Sequence, residues 1–333
     1  MLKNFLITGG SGFIGSHFVE LLLSKDKKII NVDLKNDKIL NIKNKNYKFK
    51  KGNICNYKFL NKIVDKKIDC IVNFAAQTHV DRSIDFPEDF VKNNILGTFN
   101  LLEIIRKKKL NTIFVQISTD EVFGSLSKNQ KSFNEKSQIK PNSPYSASKA
   151  SADHIVRSYN KTFGFKTIIT HSSNNYGERQ HPEKLIPLSI MQLINKKKIP
   201  IYGSGQNIRD WIYVKDNCKC IYAIINKKIF GESYLIGSKN EVSNIFIVKK
   251  IVKFFNQLSK IPVFGNGMRH VKDRKGHDFR YAINNKKIKN LINFNFSNFD
   301  EKIKNVIIYY LKNSKYYQKE LNKKWLKEKV NIN

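Results

Sequence analysis

The chain has 333 residues, 41% of them hydrophobic and 26% charged, with 61 Lys and Arg against 27 Asp and Glu for a formal charge of +34. That length suits two domains, or one large domain with a smaller lobe, and the apolar content excludes wholesale disorder. No run of about 18 apolar residues is present, which excludes a bilayer-spanning helix.

The charge invites a nucleic-acid reading, but its make-up argues otherwise. Only eight of the basic residues are arginine and 53 are lysine, spread through nearly every segment of a chain also rich in Asn and Ile. Base-edge and bidentate phosphate recognition favours clustered arginine. No specific nucleic-acid partner is therefore expected, only weak, salt-sensitive adhesion to polyanions. The N-terminal MLKNFLITGGSGFIG has one lysine and enters a glycine-rich turn directly, unlike a secretory leader. Cys55, Cys70, Cys218 and Cys220 lack CxxC or zinc spacing. They read as thiols of a reducing compartment, so the expectation is a cytoplasmic protein without a metal site.

In chain order, FLIT (5–8) reads as a buried strand and is followed by a Gly-rich turn and a helix over 13–24. KIINVD (28–33), CIVNFAA (70–76), TIFVQIST (112–119) and KTIITHSS (166–173) read as further strands. Between them, 57–66, 88–109 and 146–164 read as helices. Strands alternating with helices predict a Rossmann-type, doubly wound parallel sheet with ligands at the carboxyl ends of its strands. Beyond residue 175 the elements become shorter and mixed, with helices near 183–196, 215–228, 243–258 and 299–317. The expected organisation is a dinucleotide-binding domain over 1–175, a smaller mixed α/β lobe over 176–318 without a sharp linker, and a basic surface tail over 319–333.

The turn Thr8-Gly9-Gly10-Ser11-Gly12-Phe13-Ile14-Gly15 satisfies both GxGxxG and GxxGxxG. It follows a strand and opens a helix, so its backbone can approach a pyrophosphate on the helix N-terminus. A second strand ends at Asp33, about the right distance on, where a carboxylate accepts bonds from ribose hydroxyls and repels a 2′-phosphate. The cofactor expected is NAD rather than NADP.

Tyr145 and Lys149 form YxxxK, four apart on one helix face. An ammonium beside a phenol favours the phenolate, which can take a proton from a sugar hydroxyl as hydride leaves. Ser118-Thr119-Asp120-Glu121 ends a predicted strand with paired acids. Environments that push two such acids apart make one an acid and the other a base. Oxidation of a sugar at C4 acidifies the C5 proton. Glu121 can remove that proton while Asp120 protonates the leaving C6 hydroxyl.

TGGSGFIGS, AAQTHVDRS (75–83), STDEVFG, YSASK, SNNYG (173–177), HPEKLIP (181–187), IRDWIYV (208–214) and GHDFRYAI (276–283) occur in that order. Carrying these, the chain resembles the extended short-chain dehydrogenase/reductases over about residues 1–310, and among them the dTDP-glucose 4,6-dehydratases. The resemblance implies Thr119 bonding the sugar C4 oxygen, Asp120 as acid, Glu121 as base, and Tyr145 with Lys149 as the oxidation couple. It implies that Gly9, Gly12, Phe13, Ile14, Gly15, Asp33, Asn53, Ile54, Ala75 and Ala76 line the cofactor, with Tyr145 and Lys149 reaching it. It implies Asn174, Lys184, Leu185, Arg209, Asn240, Arg274 and His277 around the nucleotide diphosphate. It also implies a homodimer built on helices 88–109 and 146–164. His79 and His181 are better read as structural, and Trp211 as core packing. Asn53 stands where the family usually has Asp, and Asn93 where it has Thr. Glu178-Arg179 replace Pro and an aromatic, and Lys275 replaces Pro. Three alternatives stand beside this reading: a 4,6-dehydratase for a UDP-, CDP- or GDP-linked sugar, a UDP-sugar 4-epimerase, and a nucleotide-sensing or RNA-associated binding protein.

Overall fold

The computed structural model describes residues 2–36, 42–273 and 276–322. Its first half runs β1 (Asn4–Thr8), α1 (Phe13–Leu23), β2 (Lys28–Asp33), β3 (Tyr47–Lys51), α2 (Tyr57–Ile63) and β4 (Cys70–Asn73). Then come α3 (Val80–Asp85), α4 (Pro87–Phe90), a π-helical turn (Val91–Leu96) and α5 (Gly97–Lys107). These lead into β5 (Ile113–Thr119), a 3-10 turn (Asp120–Phe123), α6 (Pro144–Phe163) and β6 (Thr167–Ser172).

The second half has β7 (Asn174–Tyr176), α7 (Leu185–Ile194), β8 (Ile199–Tyr202), β9 (Ile208–Tyr213), α8 (Val214–Lys227), β10 (Glu232–Ile236) and β11 (Glu241–Ser243). It closes with α9 (Asn244–Leu258), β12 (Met268–Val271), α10 (Lys286–Leu291), α11 (Phe299–Lys312) and α12 (Ser314–Leu321).

Seven strands form one sheet in the order β10-β6-β5-β4-β1-β2-β3. Every pairing in it is parallel, so the doubly wound architecture expected from the alternation is the one observed. Alternate residues of β1 enter opposite layers. Phe5 and Ile7 pack with Phe18 and Leu22 of α1, and Leu6 packs with Leu101, Leu102 and Val156 of α5 and α6. Both faces are covered, which is why these strands are apolar throughout. Two small sheets, β11-β9-β7 and β12-β8, build the rest.

Several elements differ from the sequence reading. The strand placed at 70–76 ends at Asn73, and its continuation crosses the cleft floor. The single helix placed at 88–109 is broken: Pro87 opens α4, and the π-helical turn wedges one extra residue before α5. The helix placed at 299–317 divides at Asn313. Strands β3 and β10 were not anticipated. YKFKK of β3 carries three lysines because it is an edge strand, paired only with β2. The helix expected at 146–164 starts two residues earlier, where Ser143 and Ser146 form a capping box and Pro144 opens the first turn. Of the basic tail, residues 319–322 are described and the rest lies outside the described residues.

Candidate active site

The turn after β1 is fixed by backbone geometry. Gly9 has φ +70°, and a Cβ there would lie 2.6 Å from the Ala75 nitrogen. At Gly15 a Cβ would lie 2.3 Å from the Gly9 carbonyl oxygen, so only glycine lets α1 pack this closely on the turn. No side chain caps α1 at Gly12, and its N-terminus faces a cavity of about 390 Å³. The helix end and the bare glycine turn fit a pyrophosphate, whose charge the α1 dipole would stabilise. Asp33 receives the Ser11 and Leu34 amides at 3.0 and 2.7 Å, and burial nonetheless raises its pKa. The cavity continues past Asn53, Ile54, Ala75, Ala76 and Asn93 to Thr119, Asp120, Glu121, Tyr145 and Lys149. It thus collects all the residues proposed for the cofactor and for catalysis.

At the far end of β5, Thr119 caps the 3-10 turn by accepting the Glu121 amide at 3.3 Å, and its hydroxyl donates to Asp120 Oδ1 at 3.3 Å. Asp120 is 1% exposed, and its Oδ2 finds no partner among the described residues. Burial, with the charges of Glu121 and Asp210 nearby, holds its carboxyl well above the usual carboxylate range. Its surroundings thus favour the protonated form, the one an acid catalyst needs.

Tyr145 is held above its ordinary value by burial and by the Glu121 charge, against a hydrogen bond with Thr119. The sequence reading had Lys149 pulling this phenol down. In the structure burial leads, with the charges of Glu121, Asp120 and Asp153 adding to it, and Lys149 Nζ donates to the Ile117 carbonyl at 2.6 Å. Burial also lowers Lys149 itself to about 8.

A second cavity, about 310 Å³, adjoins the first and shares Glu121, Asn174 and Lys184 with it. Leu185, Arg209, Trp211, His277 and Tyr281 line it. Arg209 lies over the Tyr281 ring at 4.3 Å and donates to the carbonyls of Ile208 and Asp278 at 2.7 and 2.9 Å. His277 pairs with Asp273 at 2.7 Å, and Lys184 Nζ reaches the Thr78 carbonyl at 2.9 Å. Asn174 Oδ1 is buried with no partner among the described residues. Asn240 does not line either cavity; its backbone amide donates to Asp210 at 2.9 Å. Arg274 lies outside the described residues. His79 caps α3 through the Arg82 amide, His181 pairs with Glu183 and Glu320, and Trp211 belongs to both the core and the cavity wall.

Sequence reasoning missed Asp210. It is fully buried, is raised to about 6 chiefly by burial, and adds its charge to the field on Asp120. Its position in IRDW was the available signal. Asn94 was missed as well: it bonds both backbone groups of Gln77 and the Ser148 hydroxyl, tying the cleft floor to α6.

A parallel sheet with a glycine cradle, opening on a Tyr–Lys pair and buried acids, defines an extended short-chain dehydrogenase/reductase. The family model for GDP-mannose 4,6 dehydratase matches residues 6–306. Over 98% of this chain and 99% of its relative, the sequence is 39% identical to the dTDP-glucose 4,6-dehydratase of Escherichia coli. The crystal structure of dTDP-glucose 4,6-dehydratase from Bacillus anthracis in complex with NAD superposes with a TM-score of 0.85 at 40% identity, covering 96% of this chain and 99% of that one. DesIV, the dTDP-glucose 4,6-dehydratase of Streptomyces venezuelae, solved with NAD bound, gives 0.89 at 34% identity over 96% and 100%. The chain belongs to the dTDP-glucose 4,6-dehydratase family of nucleotide-sugar hydro-lyases.

Proposed function

We propose that this protein converts dTDP-glucose to dTDP-4-keto-6-deoxyglucose and water. The observation that carries this reading is the placement of Asp120: a buried carboxyl on the first cavity's wall, its pKa pushed up by burial, next to Glu121, where the two cavities meet. An epimerase has no water to expel and no use for such an acid. Bound NAD would accept the C4 hydride and return it to C6.

Tyr145 takes the proton from the C4 hydroxyl as a phenolate, a form that burial and the nearby acids oppose and that the positive charge of bound NAD and the Lys149 ammonium would favour, with Thr119 bonded to the oxygen. Glu121 then removes the C5 proton made acidic by the C4 ketone. A C5–C6 double bond forms as the C6–O bond breaks, and the departing hydroxyl leaves as water with the Asp120 proton. With hydride back at C6, Glu121 returns a proton to C5. Gly9, Gly12, Phe13, Ile14, Gly15, Asp33, Asn53, Ile54, Ala75 and Ala76 hold the dinucleotide. Asn174, Lys184, Leu185, Arg209, His277 and Arg274 serve the nucleotide diphosphate, and Asn240, away from both cavities, supports Asp210 through its backbone amide.

The proposed division has residues 1–175 for the cofactor and 176–318 for the nucleotide sugar. The lining of the first cavity supports it, falling within 1–175 except for Gln180 and Lys184. A homodimer through α3–α6 is favoured by Ile84, Phe86, Val91, Leu96 and Phe99, apolar side chains exposed along one stretch. Four free thiols suit the cytoplasm. Among the described residues no helix is long and apolar enough to cross a membrane.

The test is incubation with dTDP-glucose and, separately, with UDP-, CDP- and GDP-glucose and UDP-N-acetylglucosamine. Mass spectrometry reads the loss of one water, and NMR reads a new C6 methyl. Water lost from dTDP-glucose alone supports the proposal. Loss from another donor only moves the substrate, and loss from none overturns the reaction.

A further inference from the structure

Behind the cleft lies a polar cluster that no step above uses. Asp153 stands one turn after Lys149 on α6 and is 0% exposed, as is His171 on β6. Ser118 Oγ donates to Asp153 Oδ2 at 2.6 Å, and His171 Nε2 meets the same oxygen at 3.1 Å. Asp153 Oδ1 and His171 Nδ1 find no partner among the described residues. On its other side the His171 ring packs on Phe123 of the 3-10 turn, with centroids 5.0 Å apart.

The placement is ordered. Lys149 holds the Ile117 carbonyl and Asp153 holds the Ser118 hydroxyl, so successive turns of α6 grip successive residues of β5. The next two residues of β5 and its turn are Thr119 and Asp120. A buried carboxylate with half its acceptor capacity unused is expensive for packing alone, where an apolar side chain would serve better. Its charge acts across one helical turn on the Lys149 ammonium at the buried end of α6, while Arg157, one turn the other way, is drawn off to the Ser233 hydroxyl at 3.2 Å.

We infer that Asp153 is a positioning residue for the oxidation couple: with Ser118 and His171 it locks α6 to the end of β5, and it supplies the counter-charge that keeps buried Lys149 cationic beside Tyr145. Burial drives Lys149 down, and Asp153 is the charge that opposes it. The other groups facing this corner are Tyr145 on α6, Thr119 on β5, Asp120 and Glu121 on the 3-10 turn, and His171 on β6. For its effect on turnover the inference rests on the dehydratase reading; for the lysine titration it does not.

The experiment compares the full chain with Asp153→Asn and Asp153→Glu. The Lys149 13Cε NMR resonance, assigned by its loss in Lys149→Met, is followed against pH, and water release from dTDP-glucose is measured across the same range. In the unaltered chain the expected midpoint is about 8. In Asp153→Asn its midpoint falls by about one unit, the alkaline limb of turnover moves acidward with it, and Asp153→Glu restores both. If Asp153→Asn does not fold, Asp153→Asn/His171→Leu, which leaves no unpaired imidazole, is read the same way. A brace without an electrostatic role would depress turnover at every pH and leave the Lys149 midpoint unmoved, and that result overturns the inference. Failure of the unaltered chain to dehydrate any nucleotide glucose would instead overturn the reaction, with the lysine titration still deciding the role of Asp153.

Discussion

Lys149 shows what the site asks of a single side chain. It is 4% exposed, and burial lowers its pKa from 10.5 to about 8. A lysine depressed in the folded state binds fewer protons there than in the unfolded chain between these values. Stability is therefore diminished below about pH 8 and recovers as pH rises toward 10.5, by an amount on the order of 3 kcal/mol. Lys149→Met should be inactive, yet melt at or above the parent at pH 7. That advantage should vanish by about pH 10, where a differential scanning calorimeter would find the lost bond to Ile117 uncompensated. Asp120→Asn should slow water release at least about a hundred-fold while Glu121 still exchanges the C5 proton with deuterated solvent. Loss of both signals together would detach the acid role from Asp120. That Thr119, Asp120, Glu121, Tyr145 and Lys149 gather on one cavity was legible in the sequence, because the proposed chemistry calls for fixed residue types at fixed spacing. Asp153 and Asp210 were not, since one acid on a helix or strand looks solvated until the fold buries it.

Elements were legible wherever the hydrophobic period was clean. The five apolar strands and the helices over 13–24 and 146–164 were read within a few residues of where they lie. Failures had local causes. Lysine obscured β3, Pro87 and a π-helical turn divided the long helix before β5, and β10 resembled an isolated apolar run among loops. The sharpest element-level dependence is α1 against its turn. Gly15→Ala would force a methyl group to within 2.3 Å of the Gly9 carbonyl oxygen. That displaces the helix N-terminus from the pyrophosphate site, so NAD affinity measured by calorimetry should fall at least about ten-fold, with a lower melting midpoint. Unchanged affinity would remove the cradle from the cofactor site. On the far side of α1, Arg179 grips Glu20 at 2.5 and 2.7 Å and the His17 ring at 2.8 Å, binding the second lobe to the cofactor helix. The Glu178-Arg179 departure from the family pattern thus has a local structural use.

For the whole molecule, the excess of 34 positive charges is a repulsive term distributed over the surface. Screening shortens its reach to about 10 Å at 0.1 M salt. The melting midpoint should accordingly climb by a few degrees between low and moderate sodium chloride, whereas a chain of balanced charge would change little. A flat response would mean that the charges are already neutralised, by bound polyanions for example. A fold of this type could be inferred from the sequence because its two periods, strand and helix, alternate regularly for 175 residues. The return of the chain to the sheet could not, because nothing local in ESYLI names its partner. That return has a consequence for biogenesis. The edge of β6 stays bare until residues 232–236 leave the ribosome and pair with it. For the time it takes to synthesise some sixty further residues, at about 5–20 per second, the nascent sheet exposes an apolar edge open to mispairing. A fragment ending near residue 175 would keep that edge for good and would lack Gln180 and Lys184 of the first cavity's wall, so it could not stand as a module by itself.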